Sequence, residues 1–324
     1  MITVLIILSV VSLIFLFLIN RFNTGQKAIQ DEWNSATIKP VEDFGSTKKL
    51  EIIPLIDWLT VSDDFIGEPG VSYLIKTDKS TILFDVGFNK AGTIPSPLLK
   101  NMKKLDIDIS DFDTVFISHN HLDHVGGMKN QKKKTFSLGD DSIDLSNKKI
   151  FTPIPMTYQG KNTECNPEPF VLEEGIVSIG SISNFDFFMG RIDEQAIAVN
   201  VEGKGIVIIV GCGHQGLKKI IERTEALFKQ PIYGIIGGLH YPVTDSRIKI
   251  AGIKMQKFLG TCREPWNPYS ISDVAENIVF LKQRKPIIVA VSAHDSCDTS
   301  LENFRSAFPV EYRDIIVGKT IEII

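Results

Sequence analysis

Three histidines and an aspartate fall within six residues of this 324-residue chain: His119, His121, Asp123 and His124, in the run T-V-F-I-S-H-N-H-L-D-H-V-G-G from Thr114 to Gly127. Neutral imidazoles and a carboxylate are donors suited to zinc and its first-row neighbours. A loop that leaves a buried apolar strand can hold them rigidly. In an extended or tightly turned segment, positions i and i+2 point the same way, so His119 and His121 can share one ion. Asp123 and His124, past the turn, are then free to bind a second ion or the attacking water. Gly126 and Gly127 relax the limit on φ where the chain must bend away from the donors. A lone histidine is more often a core or surface residue than a ligand, but a strand feeding four donors into one turn reads as a metal site.

The chain has only six histidines, and the other three each follow an apolar run. G-I-V-I-I-V precedes G-C-G-H at His214, I-Y-G-I-I-G-G-L precedes His240, and P-I-I-V-A-V-S-A precedes His294. Runs of this length and character read as buried strands. Three strands that each deliver a histidine at the carboxyl end imply convergence on one point. Cys212, beside His214, reads as a small buried residue and not as a ligand.

The segment H-N-H-L-D-H-V-G-G resembles the H-x-H-x-D-H signature of the metallo-β-lactamase superfamily. The resemblance continues in order from about residue 50 to the end, through E-P-G-V-S-Y-L-I-K-T (68–77), T-I-L-F-D-V-G (81–87), V-G-C-G-H-Q-G, I-I-G-G-L-H and V-A-V-S-A-H. It implies an α/β fold, an αββα sandwich with metals at one edge of its two sheets. It also implies that His119, His121 and His214 hold a first ion and that Asp123, His124 and His294 hold a second. The expected cofactor is Zn2+, one ion or two, with Mn2+ or Fe2+ as alternatives. Asp85 is expected behind the ligands, orienting one of them or their loop. Asp57 ends E-I-I-P-L-I-D and is expected to border the site, although a turn-capping role fits it equally.

His240 stands where many members carry a carboxylate that bridges the metals. An imidazole cannot bridge in that way, so His240 is expected to bind substrate or give a proton to the leaving group, and Asp123 to orient the attacking water as a base. The patterns E-x-G-x-S-x-L-I, G-C-x-H-x-G and G-G-x-H are most similar to a subgroup related to dihydropterin and ribofuranosylaminobenzene phosphate synthases. The D-S-C after His294 departs from that subgroup's C-T-G. The implied function is hydrolysis, by a metal-activated water, of an ester-type bond of the phosphodiester, lactone or thioester class. The alternative is a synthase acting on a pterin or aminobenzene-phosphate substrate, which a basic, aromatic pocket would favour. A di-iron redox enzyme is disfavoured, because that branch usually carries a Glu in the signature and Asn120 and Leu122 occupy its variable positions here.

Elements around the motifs must position them. V-S-Y-L-I-K and S-T-I-L-F-D predict a hairpin, and S-P-L-L-K-N-M-K-K-L (96–105) has helical spacing. Residues 128–180 read as short strands with a loop over the site, and residues 241–275 as an insertion that shapes the pocket. Ile2 to Ile19 are almost wholly aliphatic or aromatic; at 1.5 Å per residue they span about 27 Å, close to the hydrocarbon thickness of a bilayer. The expected organisation is a transmembrane anchor (1–20), a polar tether (21–49) and one catalytic domain (50–324). No basic stretch precedes the apolar run and no small-residue cleavage site follows it, unlike a secretory signal peptide. Arg21 and Lys27 follow the span, which places the domain in the cytoplasm by the positive-inside tendency. A net charge of −4 and a pI near 5.9 give nucleic acid no electrostatic reason to bind. The expected partners are a small-molecule substrate and the membrane, and four cysteines without C-x-x-C spacing suggest no disulfide framework.

Overall fold

Alternate residues of the strand Gly205–Val210 face different layers. Ile206, Ile208 and Val210 pack among helices, whereas Val207 and Ile209 pack against side chains from a second sheet. The same division recurs in the neighbouring strands and produces four layers, helix, sheet, sheet and helix. The computed structural model describes residues 2–140 and 142–324.

In chain order the strands of the first sheet begin with β1 (Leu50–Ile56), β2 (Ser72–Thr77), β3 (Thr81–Phe84), β4 (Thr114–Phe116), β5 (Lys149–Thr152) and β6 (Glu164–Cys165). The second sheet holds β7 (Phe170–Glu173), β8 (Ile176–Asp186), β9 (Gly190–Val201), β10 (Gly205–Val210), β11 (Ile232–Gly237) and β12 (Ile288–Val291). Strand β13 (Ile321–Ile323) returns to the first sheet. The sheet orders are β13-β1-β2-β3-β4-β5-β6 and β12-β11-β10-β9-β8-β7. The expected β2–β3 hairpin forms, with Tyr73 opposite Phe84. Strands β10, β11 and β12 are parallel, and burial on both faces explains why they read as unbroken apolar runs.

Helix α1 (Ile2–Ser35) is considered below. Helices α2 (Pro97–Lys104) and α3 (Met128–Lys133) belong to the first sheet's side, where Leu98 and Met102 pack on Leu55, Leu74 and Leu83. Helix α2 starts on Ser96, whose Oγ accepts from the Leu99 N–H, with Pro97 in its first turn. Helices α4 (Leu217–Leu227), α5 (Ile271–Lys282) and α6 (Asp298–Ala307) cover the outer face of the second sheet through Ile220, Val274, Leu301 and Phe304. The fold is thus the αββα sandwich expected from the sequence. Residues 241–275 include a small exposed hairpin, Lys249–Ile250 with Ile253–Lys254.

The tether expected over 21–49 is instead folded onto the domain. One continuous helix, α1, carries both the apolar run and the first part of that segment. Phe22 and Ile29 are buried, and Trp33 packs against the same core. These residues recur at helical spacing, a period that the polar composition of the stretch conceals. Gly25 brings the helix backbone against the Phe185 ring, where a Cβ would collide with it. Arg21 Nη2 donates to the Phe187 carbonyl (2.6 Å), and Gln26 Nε2 donates to the carbonyls of Phe185 (2.7 Å) and Cys262 (3.0 Å). Beyond the helix, Val41 N–H donates to the Leu227 carbonyl and Thr47 N–H to that of Asn200, with Phe44 buried between them. The N-terminal part of α1 is long and apolar enough to cross a membrane, and none of it is buried in the domain.

Ile29→Asp would bury an unpaired carboxylate under α1 and should release this half of the helix. Limited proteolysis of the full chain should then cut between residues 21 and 49, where the wild type resists.

Candidate metal centre

Just past the end of strand β4 come Ser118 and His119, and the turn that follows presents His121, Asp123 and His124. The Gly211–His214 loop after β10, the glycine-rich end of β11 and the end of β12 supply Cys212, His214, His240 and His294. Donor atoms gather in three groups whose members lie within 4.8 Å of one another: His119, His121 and His214; Asp123, His124, Cys212 and His294; and Cys212, His214 and His240. All six histidines therefore meet in one region: five fall in the first two groups, and His240 joins Cys212 and His214 in the third.

Most of the rings have one nitrogen committed elsewhere. Asp85 Oδ2 accepts from the Ser118 hydroxyl (2.6 Å), whose oxygen accepts in turn from His119 Nδ1 (3.0 Å). The same oxygen of Asp85 accepts directly from His124 Nδ1 (2.7 Å). On the other side, Asp57 Oδ2 accepts from the Ser292 hydroxyl (2.6 Å), which accepts from His294 Nδ1 (2.5 Å). Tyr73 and the Trp58 N–H hold Asp57 in place. His214 Nδ1 donates to the Gly260 carbonyl (2.7 Å). A carbonyl or an already donating hydroxyl can only accept, so each of these bonds fixes the ring's tautomer and leaves its Nε2 bare. His119 Nε2 is buried with no hydrogen-bond partner among the described residues, and His214 Nε2 lies 3.1 Å from His121 Nδ1.

Electrostatics reinforce that pattern. Burial, with the neighbouring rings, keeps His119, His214 and His294 well below the ordinary imidazole range, His121 near 3 and His240 near 4. These rings are neutral at pH 7, as ligands must be. Burial opposes charge on His124 as well, yet the carboxylates of Asp85 and Asp123 raise it to about 9. The unloaded site thus keeps one cation, a proton, between two acids. Glu194, from β9, accepts the backbone N–H groups of Cys212, Gly213 and His214 (2.8–2.9 Å), while burial lifts its carboxyl to about 7. Asp85 and His240 sit at φ +56° and +52°, left-handed positions unusual for such residues and kept here at the site.

Two expectations change. Cys212 is not merely a packed thiol: its Sγ lies 3.0 Å from Nε2 of both His124 and His294, inside the second donor group. The only sequence signal was its place two residues before His214. His240 is not arranged to give up a proton at the centre. Its Nε2 donates outward to the carbonyls of Leu259 (2.9 Å) and Gln256 (3.2 Å), and its Nδ1 is a buried acceptor without a partner among the described residues. Asp85 stands behind His119 and His124, and Asp57 behind His294 through Ser292. Ser118, Ser292 and Glu194, which complete that support, were not singled out from the sequence.

A site of bare imidazole nitrogens, a thiol and a carboxylate suits a divalent cation of the zinc type, and the unpartnered buried nitrogens of His119 and His240 are the atoms such an ion would satisfy. A cavity of about 350 Å3 opens beside it, lined by His121, Asp123, His214 and His240 and otherwise mainly by apolar side chains. Met189 lines this cavity, whereas Tyr158 packs in the first sheet's core and Phe187 against α1.

Comparison with known proteins agrees with this fold. Residues 66–136 match the family model described as the metallo-beta-lactamase superfamily. A 7,8-dihydropterin-6-methyl-4-(beta-D-ribofuranosyl)-aminobenzene-5'-phosphate synthase of Methanocaldococcus jannaschii is 26% identical over 256 residues, covering 67% of this chain and 86% of the relative. An uncharacterized protein of the same organism is 25% identical over 212 residues, 56% of this chain and 76% of that protein. Among solved structures, a metal-dependent hydrolase of the beta-lactamase superfamily superposes with a TM-score of 0.57 at 18% identity, covering 85% of this chain and 99% of the other.

Ser118→Ala removes the hydroxyl between Asp85 and His119 without touching a donor. Metal affinity, read by chelator competition, should fall roughly 10–100-fold with the fold intact. The metal-free protein should also lose stability in acid. Five rings have folded-state pKa values below their unfolded ones, so the unfolded chain takes up more protons as pH falls below about 6.5. Its melting temperature should drop between pH 7 and 5, and the drop should be smaller in His119→Asn.

Proposed function

We propose that this chain, a member of the metallo-β-lactamase superfamily, is a membrane-anchored metal-dependent hydrolase that uses water to cleave an ester-type bond of the phosphodiester, lactone or thioester class. The supporting observation is the convergence of six histidines, with Asp123 and Cys212, on one buried point at the base of a cavity. His119, His121 and His214 would hold one Zn2+, and Asp123, His124 and His294 a second, with Cys212 as a further donor to it. A bound divalent cation supplies Lewis acidity toward the ester oxygen and acidifies a water at neutral pH.

The remaining work belongs to the chain. Asp123 lines the cavity, where its carboxylate can orient the attacking water and act as its base. Asp85 and Asp57, acting through Ser118 and Ser292, hold His119 and His294 against rotation. Glu194 fixes the loop that carries Cys212 and His214. His240 offers Nδ1 as an acceptor facing the donors. Leu259, Met255 and Ile248 shield the cavity from water.

A synthase acting on a pterin or aminobenzene-phosphate substrate is the second reading, favoured by the name of the archaeal relative. Such a substrate calls for cationic and aromatic contacts, but no Lys, Arg, Phe, Tyr or Trp occurs among the described residues lining the cavity. That lining favours hydrolysis of an apolar substrate. The span of α1 would serve as the anchor, and Arg21 and Lys27 on its domain side support a cytoplasmic orientation by the positive-inside tendency.

The test is a hydrolysis screen of the purified full chain loaded with Zn2+ or Mn2+. At least one ester class should be turned over, chelator should abolish turnover, and Asp123→Asn should lower kcat about 100-fold or more. Absence of turnover on every class, with a pterin and an aminobenzene-phosphate compound condensed instead, would replace this reading with the second.

A further inference from the structure

The rigid seating of α1 sets the height of the domain against the bilayer that α1 would cross. Arg21 is bonded to the carbonyls of Phe187 and Phe188, at the domain end of the apolar run. Phe15 lies six residues earlier, about 9 Å further along the helix axis and within the span. Its ring nevertheless packs on Phe187 (centroids 6.4 Å apart) and on Trp266 (5.7 Å). The β8–β9 turn and the Trp266 loop therefore reach beside the last turns of the membrane segment and do not stop at its end.

Both elements belong to the active-site cavity. Met189, in the same turn as Phe187, lines it, and so does Gly260, whose carbonyl holds His214. The other apolar walls are Leu122, Ile248, Ile250 and Leu259. Outside, Phe188 is 46% exposed, Trp266 56%, Ile250 60% and Ile253 55%. Apolar side chains grouped at a cavity rim mark an interaction surface, and tryptophan favours the membrane interface. Their continuity with the α1 span identifies the bilayer as the occupant.

We infer that the cavity mouth is immersed in the membrane interface and that the substrate is a bilayer-dissolved amphiphile, with its ester-type group at the donor cluster and its aliphatic chain in the apolar cavity. The choice of scissile group rests on the hydrolase reading; immersion and chain recognition do not.

The full-length, metal-loaded protein in phosphatidylcholine vesicles provides the test. Brominated phosphatidylcholine should quench part of the tryptophan fluorescence, and Trp266→Phe should remove that part. Hexadecylphosphonate should bind at least about tenfold tighter than ethylphosphonate, a preference that needs no turnover. A vesicle-embedded long-chain ester should be cleaved in preference to its water-soluble acetyl counterpart. Phe188→Ser/Trp266→Ser should reduce turnover of the long-chain ester about tenfold while leaving the acetyl ester within twofold. Equal quenching in Trp266→Phe, or no chain-length preference in binding, would overturn the inference even if both esters were hydrolysed. Chain preference and quenching with neither ester cleaved would uphold it and remove the hydrolase reading instead.

Discussion

Holding several imidazoles neutral in a dry interior, each with one nitrogen tied and the other bare, is the constraint on which the rest of the structure depends. An unpaired polar atom away from water is costly, and His119 Nε2 and His240 Nδ1 are two such atoms in one site. The sandwich accommodates them because parallel strands end together, so residues far apart in the chain arrive at one edge of the sheets. Ser118, Ser292, Asp85, the Gly260 carbonyl and the carbonyls of Leu259 and Gln256 occupy the outward-facing nitrogens. The result is a concentration of lone pairs that a divalent cation would satisfy.

The two hydroxyl relays are equivalent in construction, but one lies within the first sheet and the other spans both. Asp85–Ser118–His119 lies at the end of β3 and β4, and Asp57–Ser292–His294 joins the end of β1 to the end of β12. Each serine must donate to the carboxylate, so each can only accept from its ring, and the direction of the hydrogen bond decides which nitrogen faces the centre. The second relay also couples the two sheets at the site, so the donor geometry and the sheet packing depend on each other. Glu194 plays the corresponding part for the backbone of the Cys212–His214 loop.

Much of this was legible in the sequence, for definite reasons. His119, His121, Asp123 and His124 are neighbours in the chain, and His214, His240 and His294 each follow a strand-length apolar run, so local pattern alone placed them together. The sandwich was implied by the resemblance of these segments to the metallo-β-lactamase superfamily and not by the runs themselves. Ser118 and Ser292 were not legible, because a serine's role depends on which carboxylate the fold places opposite it. Cys212 could equally have been a packed thiol until two imidazole nitrogens were found 3.0 Å from its sulfur. The tautomer of His240 depends on carbonyls in an irregular loop with no periodic signal. The docked half of α1 was hidden by averaging polarity over residues 21–49, which masks the regular recurrence of Phe22, Ile29 and Trp33 on one face. That docked half joins the apolar N-terminal run to the site, since Gln26 and His214 share Asn184 as a hydrogen-bond partner.

The coordination shell of the zinc-loaded full chain, measured by X-ray absorption at the zinc edge, tests the central claim most directly. The proposed zinc site predicts stoichiometric binding in a shell dominated by imidazole nitrogen at about 2.0–2.1 Å, with a sulfur contribution near 2.3 Å that Cys212→Ser removes. A chain that retains no zinc, or an all-oxygen shell without imidazole scattering, would contradict it.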